Sequence, residues 1–267
     1  MTIQTIQVGD IEMAFRWDGV PDAPVIMMAH AMGTSHRIWD SQISALSERY
    51  SILRYDWRGH GATDAPEGPY TLSQFEADAV GLMDALGLET VNWVGISTGG
   101  MIGQGLAVNH PTRISTLTLC NTTSQASPWY RGWVAERQDV VRRDGMVPVW
   151  EMTKNLWFTD VFVAAGSPAY HAVREVFVAT QVPGYLGGTS AVADLAYQDH
   201  LHLIACPARV IAAGADPVTP LDHSEAIRDR IKGAELTVIE GQRHFSNVEA
   251  PDEFNEALLA GLEQMIS

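Results

Sequence analysis

The chain has 267 residues, of which 46% are hydrophobic and 18% charged, a composition typical of one globular domain with room for an insertion. Its formal net charge is −15, from 17 basic and 32 acidic residues, so it would repel phosphate backbones and anionic lipids; we expect no nucleic-acid partner and no membrane association. No apolar run approaches the ~20 residues that cross a bilayer, so no membrane-spanning segment is predicted.

The cysteine content and the N-terminal sequence indicate the compartment. Cys120 and Cys206 are the two cysteines, too few for a disulfide scaffold and too far apart in sequence for a metal cluster, so no metal site is predicted. The N-terminal sequence MTIQTIQVGDIEM lacks a basic stretch followed by an apolar core, so we expect no signal peptide. These features together predict a cytoplasmic protein.

Short apolar runs alternate with helical patterns along the chain. Near-continuous apolar runs are typical of strands buried on both faces of a parallel sheet. In chain order, the predicted elements are strands at 25–29 and 51–55, a helix at 74–87, a strand at 91–95, a helix at 98–109, strands at 116–120, 208–212 and 236–240, and a helix at 251–262. Alternation of this kind predicts an α/β fold, with a mostly parallel central sheet flanked by helices.

The alternation stops between about Ser124 and Cys206. This segment contains four tryptophans and further aromatic residues, and its patterns are helical, as in WVAERQDVVRRDGM and REVFVATQV. Two ordinary crossover helices with long loops would not fill a segment of this length. We therefore predict a helical cap at 124–205, inserted into an α/β core formed by 1–123 and 206–267.

A serine bracketed by glycines follows the predicted strand 91–95. Gly95, Ser97 and Gly99 have G-x-S-x-G spacing, and a helix is predicted directly after them. Small neighbours allow the chain to turn sharply from strand to helix, which exposes the serine hydroxyl next to a helix N-terminus. The pattern predicts that Ser97 is a nucleophile on a strand–turn–helix elbow.

A serine hydroxyl needs a base, and the base needs an orienting carboxylate. In a fold of this kind the expected chain order is serine, then acid, then histidine, with the last two on loops after late strands. Asp216 follows strand 208–212 and His244 follows strand 236–240, so we predict that they complete a catalytic triad with Ser97.

Other acidic and histidine residues are weaker candidates. We expect Asp56, an aspartate in a loop, to organise its own turn and Arg58. His60 precedes the nucleophile in the chain, so we expect it to have a structural role. Asp199 and His200, near the end of the predicted cap, are alternative candidates for the acid and the base.

Acyl transfer also requires donors for the tetrahedral oxyanion. The backbone N–H of Thr98, directly after the nucleophile, is the first predicted donor. The second is expected from the loop after strand 25–29, whose sequence is AHAMGTS, and we predict the backbone N–H of Met32.

These residues together make the chain resemble the α/β-hydrolase family, and within it the 3-oxoadipate enol-lactonases. The resemblance covers nearly the whole chain and rests on LRYDWRGHGATDAPEGPYTL (53–72), GISTGGMIGQ (95–104), LCNTTS (119–124), DGM (144–146), LWFTDVF (156–162), VPGYLGG (182–188), DPVTP (216–220) and RHFSNVEAPDEFNE (243–256). It implies a cofactor-free hydrolase that opens an ester ring through an acyl-enzyme on Ser97. His244 would act as base and then acid, while Asp216 would hold its imidazole.

The chain departs from the resemblance at three places. The predicted oxyanion loop carries His30-Ala31-Met32-Gly33, which is closer to the His-Gly-x-Gly of general esterases than to the Asn-Ser-Leu-Gly common in enol-lactonases. Thr98 stands where such enzymes usually have methionine, and Trp57 replaces a small polar residue.

The resemblance also implies a substrate that bears a carboxylate. An anion can enter a largely apolar pocket only if a cation meets it there, and arginine has the matching planar fork. Arg137, on the same helical pattern as Trp133, lies about where the family carries an arginine; a surface arginine paired with Glu136 or Asp139 is the alternative. We expect Arg137, Trp133, Trp157 and His30 to contact the substrate.

The leading hypothesis is a lactonase for a small carboxylate-bearing lactone, with a small ester or lactone as its partner and with the oligomeric state left open. A general carboxylesterase or a carbon–carbon bond hydrolase is the alternative within the same chemistry, since a fold does not fix the reaction. A hydrolase-like ligand receptor with slow turnover is the alternative from a different class. Turnover on a panel of lactones would separate an enzyme from a receptor.

Overall fold

One eight-stranded sheet forms the centre of the molecule in the computed structural model, which describes residues 2–266. The strands are β1 (Gln4–Val8), β2 (Ile11–Gly19), β3 (Val25–Ala29), β4 (Ser51–Tyr55), β5 (Val91–Ile96), β6 (Ile114–Cys120), β7 (Ala208–Ala213) and β8 (Glu235–Ile239). They lie in the order β1-β2-β4-β3-β5-β6-β7-β8. β2 pairs antiparallel with β1 and β4, and all other neighbouring pairs are parallel.

Helices cover the sheet and fill the segment between β6 and β7. They are α1 (Asp40–Leu46), α2 (Leu72–Ala85), α3 (Thr98–Asn109), α4 (Pro128–Asp144), α5 (Met146–Trp157), α6 (Asp160–Ala165), α7 (Pro168–Ala179), α8 (Val182–Ala193), α9 (Leu221–Arg230), α10 (Ser246–Glu249) and α11 (Pro251–Met265). Short 3-10 helices lie at His36–Trp39, Pro111–Arg113 and Gln198–Leu203. This architecture confirms the predicted fold class.

The two faces of the parallel strands are buried against different helices. In β3, Met27 packs in one apolar cluster with α2 and α3, whereas Ile26 and Met28 pack in a second cluster with α1 and α11. Both faces are apolar because both are covered, which explains why the strands were recognisable from continuous apolar runs. The six predicted strands correspond to β3–β8 with small shifts at their ends.

The antiparallel pair β1–β2 was not predicted from the sequence. β1 lies at the edge of the sheet and is largely exposed, so its residues, QTIQV, give no continuous apolar run. The start of α2 was placed two residues late, because its first turn is marked by capping instead of apolar spacing. The Thr71 hydroxyl accepts from the Gln74 N–H (3.2 Å), and the Gln74 side chain accepts from the Thr71 N–H (2.9 Å).

Five helices, α4 to α8, occupy the segment that was predicted to be a cap. The hydroxyl groups of Ser127, Thr159 and Ser167 cap the N-termini of α4, α6 and α7. α8 contacts the loop after β4 almost backbone to backbone, since a Cβ at Gly184 would lie 1.9 Å from the carbonyl oxygen of Gly59. The division into a core (1–123 and 206–267) and a cap (124–205) stays a prediction, and its outermost residues, Met1 and Ser267, lie outside the described residues.

Between residues 2 and 266, none of the helices combines the length and the apolarity that crossing a membrane would require.

A glycine substitution on α3, with a second on α4 as its control, tests how tightly α3 packs against β3. A Cβ at Gly99 would lie 2.2 Å from the carbonyl oxygen of Ala29, so Gly99→Ala should lower the free energy of unfolding by at least about 1–3 kcal/mol. Gly132, on α4, has open space around its Cα, so Gly132→Ala should raise stability by about 0.5–1 kcal/mol. Chemical denaturation of both variants measures the difference. Equal effects would show that the approach of α3 to β3 is not constrained.

Candidate active site

Ser97 lies on the tight turn between β5 and α3, with φ 54° and ψ −115°. A positive φ is unfavourable for a residue with a Cβ and persists only where surrounding contacts enforce it. A Cβ at Gly95 would lie 2.2 Å from the carbonyl oxygen of Gly99, and one at Gly99 would lie equally close to the backbone of β3. The G-x-S-x-G spacing is therefore required by two close backbone approaches.

Hydrogen bonds from β6 and its following loop fix this turn. The Ser97 N–H donates to the carbonyl oxygen of Cys120 (2.9 Å), and the Thr122 hydroxyl donates to the carbonyl oxygen of Ser97 (2.7 Å). On the opposite side, the Trp93 indole N–H donates to the carbonyl oxygen of Gly99 (3.0 Å). None of these bonds involves the Ser97 hydroxyl.

His244 joins Ser97 to Asp216. Its Nδ1 lies 2.7 Å from Asp216 Oδ2, and its Nε2 lies 2.9 Å from Ser97 Oγ. Because an ionised carboxylate can only accept, Nδ1 carries the proton and Nε2 accepts from the serine hydroxyl. All three side chains are at least 90% buried. The structure thus brings together the three residues predicted from their order in the chain.

The turn after β7 holds the Asp216 carboxylate. Oδ1 accepts from the N–H groups of Val218 (2.7 Å) and Thr219 (3.1 Å), and Oδ2 accepts from the Thr219 hydroxyl (2.7 Å). The alternative candidates, Asp199 and His200, are exposed on the 3-10 helix Gln198–Leu203.

The loop that carries His244 is held by β6 and by the inserted helices. The Asn121 amide donates to the carbonyl oxygen of His244. On either side of the histidine, Arg243 donates to the carbonyl oxygen of Phe158 (3.0 Å) and the Phe245 N–H donates to the carbonyl oxygen of Trp157 (3.0 Å). The end of α5 therefore contributes to the position of the imidazole.

The backbone N–H groups of Met32 and Thr98 are both available as donors. Within residues 2–266, neither of them donates to a protein acceptor. Thr98 begins α3, where the helix dipole and the unpaired N–H groups of the first turn favour negative charge. The two groups predicted to bind an oxyanion are thus unpaired.

His30 lies behind the loop that carries Met32. Its ring is fully buried and stacks on Trp57, with ring centroids 5.0 Å apart. Nδ1 lies 2.8 Å from the carbonyl oxygen of Ala31, and Nε2 lies 3.3 Å from the backbone nitrogen of Trp57. Since backbone groups occupy both ring nitrogens, His30 does not fit the predicted contact with substrate. It supports the loop instead.

Asp56 does not pair with Arg58, so that part of the sequence prediction is wrong. Its carboxylate accepts from the backbone N–H (2.6 Å) and Nδ1 (3.0 Å) of His36 and from the Ala62 N–H (3.0 Å) of its own turn. Arg58 instead pairs with Asp78 (2.8 Å) and Asp10 (2.7 Å). In the folded chain, Asp10 in the turn before β2 and Asp78 on α2 take the place beside Arg58 that was predicted for Asp56.

Arg137 is buried on α4 and is not the surface arginine considered as an alternative. Its guanidinium carbon lies 3.6 Å from the centroid of the Trp133 ring, and one of its N–H groups donates to the carbonyl oxygen of Met152 (3.2 Å). Among the described residues no carboxylate forms an ion pair with it; Asp139 pairs with Arg142 instead. Burial lowers the pKa of Arg137, although a guanidinium remains charged at neutral pH.

Trp157 lies at the end of α5, where it is 96% buried in a group of aromatic rings. Its ring centroid is 4.4 Å from that of Phe245, the residue after His244, and 5.2 Å from that of Phe177. Its predicted contact with substrate stays a prediction.

Several supporting residues were missed by the sequence reasoning. Thr122 and Asn121 appeared only within the family motif LCNTTS, although polar residues directly after a buried strand were a usable signal. Thr219, three residues after Asp216, has the spacing at which a hydroxyl meets an aspartate carboxylate in a turn. Thr34, whose hydroxyl donates to the Ala31 carbonyl oxygen, gave no local signal. A structural role was predicted for His60, but not its bond with the Gly33 N–H.

Comparison with known proteins identifies the family. The alpha/beta hydrolase fold family matches residues 24–251, and the chain belongs to this family. It is 30% identical over 260 residues to 3-oxoadipate enol-lactonase 2 of Acinetobacter baylyi, covering 97% of this chain and 96% of that protein.

Two crystal structures are similar over nearly the full length. A hydrolase from Pseudomonas aeruginosa is 34% identical with a TM-score of 0.93, covering 97% of this chain and 98% of that one. The enol-lactonase from Burkholderia xenovorans is 32% identical, also with a TM-score of 0.93, covering 97% and 100%. The resemblance to enol-lactonases is confirmed, and the protein is a hydrolase of the α/β fold.

The buried histidine behind the Met32 loop should make stability depend on pH. Burial lowers the pKa of His30 to about 4 from 6.5. Between pH 6.5 and 4 the unfolded chain therefore binds a proton that the folded state resists, so this stability is present above pH 6.5 and is lost as pH falls towards 4. The slope from this group is at most about 1.4 kcal/mol per pH unit.

Denaturation at pH 7 and pH 5 tests this effect. His30→Gln should lose less stability between the two pH values than the wild type, whereas His200→Gln, at an exposed position, should match the wild type. Equal pH dependence in the wild type and in His30→Gln would contradict the buried neutral state.

Proposed function

We propose that the protein is a serine hydrolase that opens a small carboxylate-bearing lactone through an acyl-enzyme on Ser97. The observation that carries this proposal is the position of His244, with Nε2 2.9 Å from Ser97 Oγ and Nδ1 2.7 Å from Asp216 Oδ2. A nucleophile, a base and an orienting carboxylate at these distances are the requirements for acyl transfer.

In the first step, Ser97 Oγ attacks the lactone carbonyl carbon while His244 Nε2 takes the hydroxyl proton. The carbonyl oxygen becomes an oxyanion, which the N–H groups of Met32 and Thr98 would bind. Collapse of the tetrahedral intermediate breaks the ring C–O bond, and the imidazolium returns its proton to the ring oxygen. Because the ester is cyclic, the released hydroxyl or enol remains attached to the acyl group on Ser97.

In the second step, water replaces the ring oxygen as the partner of His244. The imidazole removes a proton from water, the hydroxide attacks the acyl carbon, and Ser97 leaves with the proton from His244. Asp216 stays ionised throughout and stabilises the imidazolium. The bonds from Val218 and Thr219 keep its carboxylate oriented towards Nδ1.

A carboxylate on the substrate is supported by Arg137. A buried charge without a paired charge is unfavourable, and the described residues give this guanidinium one hydrogen bond, to Met152. An anionic substrate group would supply the missing partner, while the Trp133 ring holds the guanidinium plane. We therefore propose Arg137 as the carboxylate-binding residue, with Trp133 and Trp157 as further walls of the substrate site and residues 124–205 as the cap above it.

The names of two relatives agree with this substrate class, since both are enol-lactonases. The departure at Trp57 bears on the loop instead of on the lactone, because its side chain is fully buried against His30 and His60. Sequence differences from the enol-lactonases at this position thus leave the proposed chemistry intact.

Replacement of Asp216 tests the triad. Asp216→Asn should preserve the fold and lower kcat on the order of 10⁴-fold, because an amide favours the wrong imidazole tautomer. Steady-state hydrolysis of p-nitrophenyl acetate measures the loss, and Ser97→Ala, which should no longer react with a fluorophosphonate probe, is the control. Near-wild-type activity of Asp216→Asn, or labelling of Ser97→Ala, would contradict the assignment.

Replacement of Arg137 tests the substrate class. Arg137→Ala should raise KM for a carboxylate-bearing lactone roughly 30-fold or more, which corresponds to a loss of about 2–5 kcal/mol of binding free energy. It should hardly change hydrolysis of neutral p-nitrophenyl acetate. Arg137→Lys should recover little, because lysine lacks the planar fork and stacks poorly. The matched control is Arg142→Ala, on the same helix but exposed and paired with Asp139.

The outcomes separate the alternative functions. Equal losses on the charged lactone and the neutral ester, or no loss on either, would remove Arg137 from the site and favour a general carboxylesterase. Binding of lactones without steady-state turnover would favour a ligand receptor. Faster hydrolysis of a carbon–carbon bond than of a lactone would favour a carbon–carbon bond hydrolase.

A further inference from the structure

The peptide between Ala31 and Met32 is held by three donors at one end. The carbonyl oxygen of Ala31 accepts from the His30 Nδ1–H (2.8 Å), the Thr34 hydroxyl (2.8 Å) and the Thr34 N–H (3.2 Å). A trans peptide is planar, so its C=O and N–H point in opposite directions. Fixing the Ala31 carbonyl therefore also fixes the direction in which the Met32 N–H points.

The next peptide is held from a different part of the chain. Gly33 lies in the turn between β3 and the 3-10 helix His36–Trp39, and its N–H donates to Nε2 of His60, in the loop after β4, at 2.9 Å. Gly33 has φ +68°, and a Cβ there would lie 2.6 Å from the Phe177 ring, so the loop has little room to adopt another path. Met32 thus lies between two peptide groups, and a histidine holds each of them.

Both histidines act as hydrogen-bond acceptors through Nε2. His30 Nε2 accepts from the Trp57 N–H (3.3 Å), and the Trp57 indole N–H donates back to the carbonyl oxygen of His30 (3.1 Å). The rings of Trp57 and His60 are in contact, with centroids 3.6 Å apart. The three side chains form one buried block behind the loop.

The acceptor role requires neutral imidazoles. Burial lowers the pKa of His60 well below its usual range, and the same cause lowers that of His30 to about 4. The titratable groups near this block are Asp56, whose Oδ1 lies 4.0 Å from His30 Nε2, and His36, which hydrogen-bonds to Asp56. Both Nε2 atoms are therefore free to accept at neutral pH.

We propose that His30 and His60 are positioning residues for the oxyanion donor, with His30 aiming the Met32 N–H through the Ala31 carbonyl and His60 holding the following peptide through the Gly33 N–H. This inference rests on the proposed function, because an oxyanion forms only if Ser97 attacks an acyl carbon. Neither histidine touches the substrate or transfers a proton. Each acts on the geometry of one N–H group.

The effect of these residues should appear in the transition state and not in substrate binding. An oxyanion donor contributes most when charge has developed on the oxygen, so a misdirected N–H lowers kcat and leaves KM nearly unchanged. Complete loss of one such donor lowers kcat on the order of 10²–10³-fold. A loop that is loosened but not removed should lose part of that factor.

The test compares the wild-type enzyme with the variants His60→Leu and His60→Gln. The measurements are kcat and KM for p-nitrophenyl acetate and the inhibition constant of phenylboronic acid, whose tetrahedral adduct with Ser97 places an oxygen at the oxyanion position. His60→Leu should lower kcat at least 10-fold, weaken phenylboronic acid by a similar factor and leave KM within about two-fold. His60→Gln, which retains an acceptor for the Gly33 N–H, should recover most of both losses.

Tyr197→Phe is the control for loss of a partly buried hydrogen bond elsewhere, since the Tyr197 hydroxyl donates to Glu76 and so joins the segment before β7 to α2. It should lower the midpoint of thermal unfolding without changing kcat. If His60→Leu fails to fold, Thr34→Val replaces it, because valine keeps the shape and removes one donor to the Ala31 carbonyl; the same pattern of lowered kcat and unchanged KM is expected.

Other results overturn the inference. A lower unfolding midpoint with unchanged kcat in His60→Leu, or in Thr34→Val if it is used, would assign these residues to stability alone. Equal kcat values for His60→Gln and His60→Leu would show that the acceptor is irrelevant. A wild-type enzyme that is not labelled by a fluorophosphonate at Ser97 would instead remove the proposed function itself, and this inference with it.

Discussion

The close approach of the first turn of α3 to the end of β3 is the constraint on which the candidate site depends. A Cβ at Gly99 would lie within 2.2 Å of the Ala29 carbonyl oxygen, so the chain can turn at Ser97 only because glycine stands there. The turn gives Ser97 its positive φ and places its hydroxyl at the edge of the sheet where the parallel strands end. The loops after β3, β7 and β8 leave from the same edge, so they supply the neighbouring groups.

Hydrogen bonds between side chains and backbone groups fix the geometry at this edge. Asp216 is aimed by two N–H groups and a hydroxyl of its own turn, and the carbonyl oxygens of His244 and Ser97 are held by Asn121 and Thr122 after β6. In a buried site such bonds decide geometry, because an unpaired polar group there is unfavourable by about 1–3 kcal/mol. The strand order brings the loops together, and the polar residues that follow each strand fix their final directions.

The sequence could predict those features that leave a periodic or local signal. The six parallel strands were recognisable because both faces are buried, and Ser97, Asp216 and His244 because each follows such a strand. β1 carries no apolar run, since it lies exposed at the sheet edge. The true partners of Arg58 and the roles of His30 and His60 depend on residues many positions away; the bond from the Gly33 N–H to His60 is one example. No local pattern encodes such contacts, because they join loops that only the folded sheet brings together.

Charge at long and short range would act in opposite directions on an anionic substrate. The net charge of −15 repels it, but charges on the exposed surface are screened beyond about 8 Å at physiological ionic strength. The buried guanidinium of Arg137 is shielded from salt, and a carboxylate 4 Å from it would gain roughly 4 kcal/mol at an effective dielectric constant of about 20. The local term therefore exceeds the screened surface repulsion. Under the proposed function, the surface charge would slow the approach of the anion, while the buried guanidinium of Arg137 would determine whether it stays.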